Sequence, residues 1–122
     1  MRPSLAFACL LALSAGSVQG EESLQAEIDC LLEHVRQSDM VFIRNGKSHD
    51  GEAAAEHMAR KYDHFRKRVD SGEDFIAYAA TKSTVSGRAY RVRLSDGEEL
   101  DSADYLLEQL SVCRSSIRGH HP

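Results

Sequence analysis

Met40-Val-Phe-Ile-Arg-Asn-Gly-Lys-Ser-His49 is the stretch on which the fold turns. Met40 to Arg44 is rich in β-formers and holds no breaker, which predicts a strand over 40–44. Asn45-Gly46 is the pair that suits a two-residue type I′ turn, because both central residues there take positive φ. Lys47-Ser48-His49 then returns as a short second strand, 47–49. A lone hairpin is marginal in water, so the flanking segments must cover one of its faces.

Those segments read as helices. Upstream, Leu24, Ile28, Leu31 and Val35 recur at helical spacing, predicting a helix over 23–37 with Ser23 as N-cap. Downstream, Asp50 is an N-cap, and Ala54, Met58, Tyr62, Phe65 and Val69 form the stripe of a helix over 51–69. Ser71 with Asp74 three residues on is a variant capping box, opening a helix over 72–82 that buries Phe75, Ile76 and Ala79. Ser83 to Gly87 is a loop. From Ala89 to Leu94 the chain alternates, with Tyr90, Val92 and Leu94 on one face, which predicts a strand over 89–94. Asp96-Gly97 turns the chain, and Asp96–Asp101 as a whole reads as a solvated turn. Ser102 caps a last helix over 103–117, where Leu106, Leu110, Cys113 and Ile117 share a stripe. Residues 118–122 are expected to fray. The sum is an α+β domain over 21–122, with a small antiparallel sheet and about four helices on one face.

Composition narrows the setting. Arg2, the apolar run Leu5–Leu13 and the small residues near Val18 and Gly20 have the layout of a signal peptide over 1–20, too short to span a bilayer. The implied mature protein is secreted. The whole chain carries a net charge of −4, and losing Arg2 makes it one unit more negative, which argues against nucleic acid as a partner. No transmembrane segment is expected in the mature chain, and a monomer is. Cleavage also removes Cys9 and leaves Cys30 and Cys113. In an oxidising compartment that pair suggests one disulfide, joining the first and last helices; two buried apolar thiols are the competing reading.

Phe42-Ile-Arg-Asn-Gly46, His57-Met-Ala-Arg-Lys-Tyr62, and Glu73-Asp-Phe-Ile76 leading to Ser83-Thr-Val-Ser-Gly-Arg-Ala-Tyr90 together resemble the YfeK-like proteins, a periplasmic family of unknown function in Gram-negative bacteria. The likeness spans most of residues 24–110. It implies a periplasmic location and a single domain, and supplies no activity or catalytic residue. Many relatives carry a Cys where this chain has Met40, so no disulfide at that place follows from the resemblance.

Chemistry concentrates around helix 51–69. At about 100° per residue, His57, Lys61 and His64 flank its apolar stripe, where helix meets sheet. With Arg44, Asn45, Ser83, Ser86 and Tyr90 they suggest a cationic, hydroxyl-lined pocket for a carboxylate, phosphate or sulfated group. The competing reading is structural: Arg44 capping a helix, Lys61 lying over apolar surface, the Ser-Gly loop merely turning. The expected role is a non-catalytic binding module for an anionic ligand or an envelope protein. One alternative is a small hydrolase using His57 with Ser83 or Ser86, and another is an inhibitor or immunity-type protein. Ser48-His49-Asp50 cannot form a relay, since adjacent side chains diverge. No metal or cofactor is expected: HExxH and CxxC are missing, and His57 and His64 are two turns apart. His120-His121 is a tail pair. Arg60, Lys61, Arg66, Lys67 and Arg68 form a basic run that Arg88, Arg91 and Arg93 are candidates to extend.

Overall fold

The computed structural model describes residues 15–119, with side chains from residue 20 onward. Cys9, most of the 1–20 leader reading and His120-His121 lie outside the described residues. In chain order the elements are α1 (Ala15–Gln37), β1 (Val41–Arg44), β2 (Lys47–His49), α2 (Gly51–Phe65), α3 (Gly72–Ala79), β3 (Arg91–Arg93), β4 (Glu99–Asp101) and α4 (Ser102–Gly119). This is the expected α+β class, with four strands rather than three.

The sheet runs β2-β1-β3-β4 and every pairing is antiparallel. Its register explains its two faces. Phe42 stands opposite His49 on one side and Val92 on the other, and Val92 stands opposite Leu100. Side chains alternate along a strand, so this row faces the helices: Phe42 and Val92 are buried and Leu100 packs against the core. The opposite face carries Arg91 paired with Asp101 at 2.6 Å and Arg93 paired with Glu99 at 3.0 Å. Asn45 and Gly46 both take positive φ, as the predicted turn requires.

The helical stripes pack as their spacing predicts. Ile28, Leu31 and Val35 of α1, Ala54, Met58 and Tyr62 of α2, Phe75, Ile76 and Ala79 of α3, and Leu106, Leu110 and Cys113 of α4 are all buried in one core. A disulfide joins Cys30 to Cys113, tying α1 to α4. Asp50 caps α2 by accepting from the Ala53 amide at 2.9 Å, and Ser71 caps α3 by accepting from Asp74 at 3.0 Å.

Several boundaries differ from expectation. α1 begins at Ala15, so Ser23 lies inside the helix and caps nothing; no proline interrupts 15–23. α2 ends at Phe65 rather than near 69, because Arg66–Arg68 tightens into a 3-10 turn and Val69 is extended, though still buried. α3 stops at Ala79, where the Thr81 hydroxyl donates to the Ile76 carbonyl at 2.8 Å. β3 is only 91–93, since the Tyr90 amide donates to Thr81 and its carbonyl accepts from Ser102. Glu99–Asp101 is an edge strand, not part of a solvated turn, held by its cross-strand arginines. Arg118 and Gly119 remain helical rather than frayed.

Arg114 of α4 ties three helices. It donates to Glu27 of α1 at 3.0 and 3.2 Å and to Glu73 of α3 at 2.8 and 2.7 Å. Hydrogen bonding from Arg114, then from backbone, pulls the Glu73 carboxyl down to about 2 from 4.5. Glu73 is half exposed, so the network is worth only about 1 kcal/mol. Because Glu73 titrates lower folded than unfolded, that contribution is complete above about pH 4.5 and disappears as pH falls through about 2. Arg114→Met is expected to lower stability by about 1 kcal/mol at pH 7 and to shrink the loss between pH 4.5 and 2. Denaturant unfolding at a series of pH values checks both.

Candidate functional site

The hairpin, the first half of α2 and the chain entering β3 meet at one end of the sheet. Arg44 closes β1 and shares the inner face with Phe42, two residues before it. His57 and Lys61, four residues apart, lie on one side of α2. Tyr90 is buried just before β3. α2 is seated tightly against the end of α1: a Cβ built on Gly51 would stand 2.2 Å from the Val35 carbonyl oxygen. That close approach fixes where His57 and Lys61 are presented.

The Tyr90 hydroxyl is the hub. It lies 3.1 Å from His57 Nε2 and accepts from Lys61 Nζ at 3.2 Å, while Lys61 also donates to the Lys82 carbonyl at 2.8 Å. Burial, then the fields of Arg44, Lys61, Arg60 and His49, lowers His57 to about 4. The imidazole is therefore neutral near pH 7; in the tautomer protonated at Nδ1, Nε2 accepts a hydrogen bond from the Tyr90 hydroxyl and Nδ1–H is left as a donor. Burial, then Arg44, lowers the Lys61 ammonium. Burial pushes the Tyr90 phenol up, against the opposing pull of Arg44. Among the described residues no carboxylate pairs with Arg44 or Lys61. The site is rich in donors and poor in acceptors.

Asn45, Ser83 and Ser86 form a neighbouring network of their own. Ser86 Oγ donates to Asn45 Oδ1 at 2.6 Å, Asn45 Nδ2 approaches Ser83 Oγ at 3.5 Å, and Ser83 Oγ accepts from the Ser86 amide at 3.2 Å. These bonds pin the loop to the hairpin turn. The hydroxyls that a hydrolase would need thus serve Asn45, and the ring of His57 bonds Tyr90 instead. Among the described residues, His57 makes its hydrogen bond to Tyr90 and not to Ser83 or Ser86.

A small cavity of about 20 Å³ opens beside the hub, lined by Phe42, Arg44, His49, His57, Tyr90 and Ser102 among others. His49 Nε2 and Ser102 Oγ are buried without a hydrogen-bond partner, and both residues line this space. Residue order did not single out either as a site residue. The signal was strand parity: His49 sits opposite Phe42, which puts it on the inner face, but parity is legible only once the register is known.

Other candidates disperse. Arg91 and Arg93 are paired on the outer sheet face and do not extend the basic run. Arg66 pairs with Asp63 at 2.7 Å and lies over the Tyr62 ring. Among exposed apolar side chains, Val85 is on the 83–87 loop, and Leu107 and Val112 are five residues apart on α4. They share no stripe, so they offer an inhibitor-type contact no common face.

Among the described residues, four helices back a four-stranded sheet, with cationic side chains beside the hairpin, an α+β fold. Residues 22–114 match the family of unknown function DUF5329, and the chain belongs to it. The chain is also 36% identical over 85 residues to the Uncharacterized protein YfeK of Salmonella typhimurium strain LT2, which covers 68% of this chain and 69% of that relative. The resemblance carried by the 42–46, 57–62 and 73–90 motifs is thereby borne out. No solved structure matches significantly. Among the described residues no helix is long and apolar enough to cross a membrane.

Proposed function

We propose that the protein is a secreted, periplasmic, monomeric binding module that captures an anionic group at the Arg44–His57–Lys61 cleft without catalysis. The observation that supports it is a set of cations held beside a desolvated, neutral His57 with no carboxylate partner among the described residues. Such a cluster costs stability when empty, and an anion offsets that cost. The cavity sets the scale of what enters. At about 20 Å³ it admits roughly one water-sized atom behind an apolar wall, so the anion itself rests outside it, against the cationic side chains. Arg44 and Lys61 carry its charge, His57 Nδ1–H adds a neutral donor, Tyr90 orients His57, and Asn45 holds the hairpin turn. Ser83 and Ser86 act through Asn45 by holding the turn.

NMR titration with inorganic phosphate and with acetate tests this. Perturbations are expected at Arg44, His57 and Lys61. Each charge-assisted bond is worth about 1.5–3 kcal/mol, so the folded Arg44→Ala/Lys61→Ala double variant is expected to bind at least about 100-fold more weakly. Undiminished binding by that folded variant overturns the reading.

A further inference from the structure

A second cluster shares no residue with the anion cleft. Cys30 of α1, His34 one turn later and Cys113 of α4 bring two sulfurs and a ring nitrogen within 4.8 Å of one another. His34 Nε2 stands 3.7 Å from Cys30 Sγ and 4.0 Å from Cys113 Sγ. Its other nitrogen, Nδ1, donates to Gln109 Oε1 of α4 at 2.8 Å. That bond fixes the tautomer, so the Nε2 lone pair is turned toward the sulfurs. An imidazole oriented by a carbonyl on its far nitrogen is the arrangement that metal-ligating histidines use.

We propose that opening the Cys30–Cys113 disulfide with a dithiol converts this cluster into a three-ligand site for a soft cation, Cu(I) above all. A thiolate of the reductant attacks Cys30 Sγ, the less buried of the two sulfurs, and Cys113 leaves as thiolate. The reductant's second thiolate then releases Cys30 and closes its own disulfide, so two electrons pass to the protein. Metal binding holds both sulfurs as thiolates, with neutral His34 as the third ligand. The distances suit this. A metal about 2.3 Å from sulfur and about 2.05 Å from nitrogen spaces those two atoms about 3.6–3.8 Å apart. His34 is already at that spacing from Cys30 at 3.7 Å and lies slightly beyond it from Cys113 at 4.0 Å, so the main change required is that the sulfurs separate. Two thiolates and one imidazole form a soft set that favours Cu(I) over hard cations. The imidazole side of the cluster reaches the surface, where His34 and Gln109 line a groove together with Met40 and Tyr105. Cys30 and His34 stand at i,i+4 in the sequence, a spacing that puts them one turn apart on a helix.

The test is anaerobic titration of the dithiol-reduced, desalted protein with Cu(I) against a chromophoric Cu(I) chelator, with circular dichroism followed in parallel. One Cu(I) per chain is expected, with recovery of any helical signal lost on reduction. Binding is expected to weaken at least about 100-fold in His34→Ala and about 10-fold in Gln109→Leu, and X-ray absorption should show two sulfurs and one nitrogen. Both variants keep the disulfide when oxidised, so their folding is checked in that form. Equal Cu(I) affinity in His34→Ala, or a reduced protein that takes up no Cu(I), overturns the proposal.

Discussion

Replacing Cys30 and Cys113 together by alanine is expected to lower stability by about 4–5 kcal/mol. The bridge spans 83 residues of separation, and in the chain-entropy account a loop that long restricts the unfolded chain by about that amount. It also couples α1 to α4, the helices that bring Ile28, Leu31, Leu106 and Leu110 into one core. A domain this size has only about 5–15 kcal/mol in total, so the loss removes a large share of it. Urea unfolding of the oxidised protein and the double variant measures the difference. A change below about 1 kcal/mol contradicts the role given to the bridge.

Gly51→Ala is expected to cost about 3 kcal/mol, the upper end for overpacking. The added Cβ meets three backbone oxygens: Val35 at 2.2 Å, Ser38 at 3.0 Å and Arg36 at 3.2 Å. Backbone atoms at a helix end cannot step aside as a flexible side chain does, so α2 must move away from α1. Since α2 carries His57 and Lys61, the same change is expected to disturb the cleft. Denaturant unfolding measures the first effect, and the NMR signals of His57 report the second. A variant as stable as the parent, with unmoved His57 signals, contradicts this account of the α1–α2 junction.

Helices and hairpin were legible because burial repeats at a fixed period. Leu24, Ile28, Leu31 and Val35 announce one face regardless of their partners, and Asn45-Gly46 announces its turn locally. β4 was not legible, because Glu99-Leu100-Asp101 is short and charged. Its strand character comes from Arg91 and Arg93 opposite, a relation no local window contains. Arg44, His57, Lys61 and Tyr90 converge as their positions suggest, since each flanks an apolar stripe at the same end of the sheet. Asn45, Ser83 and Ser86 instead serve the turn, and His49 and Ser102 emerge only from register and burial.

Desolvation and the cationic field at the cleft meet in one group, His57. NMR titration of its imidazole in the free protein should give a pKa of about 4. Removing a neighbouring positive charge, or adding an anion, favours the protonated ring. The value is therefore expected to rise in Arg44→Met, and to rise in the parent when phosphate is added. By reciprocity, phosphate binds more tightly as pH falls through that pKa. A His57 that titrates near 6.5, unmoved by phosphate and by Arg44→Met, contradicts a desolvated cationic site at this cleft.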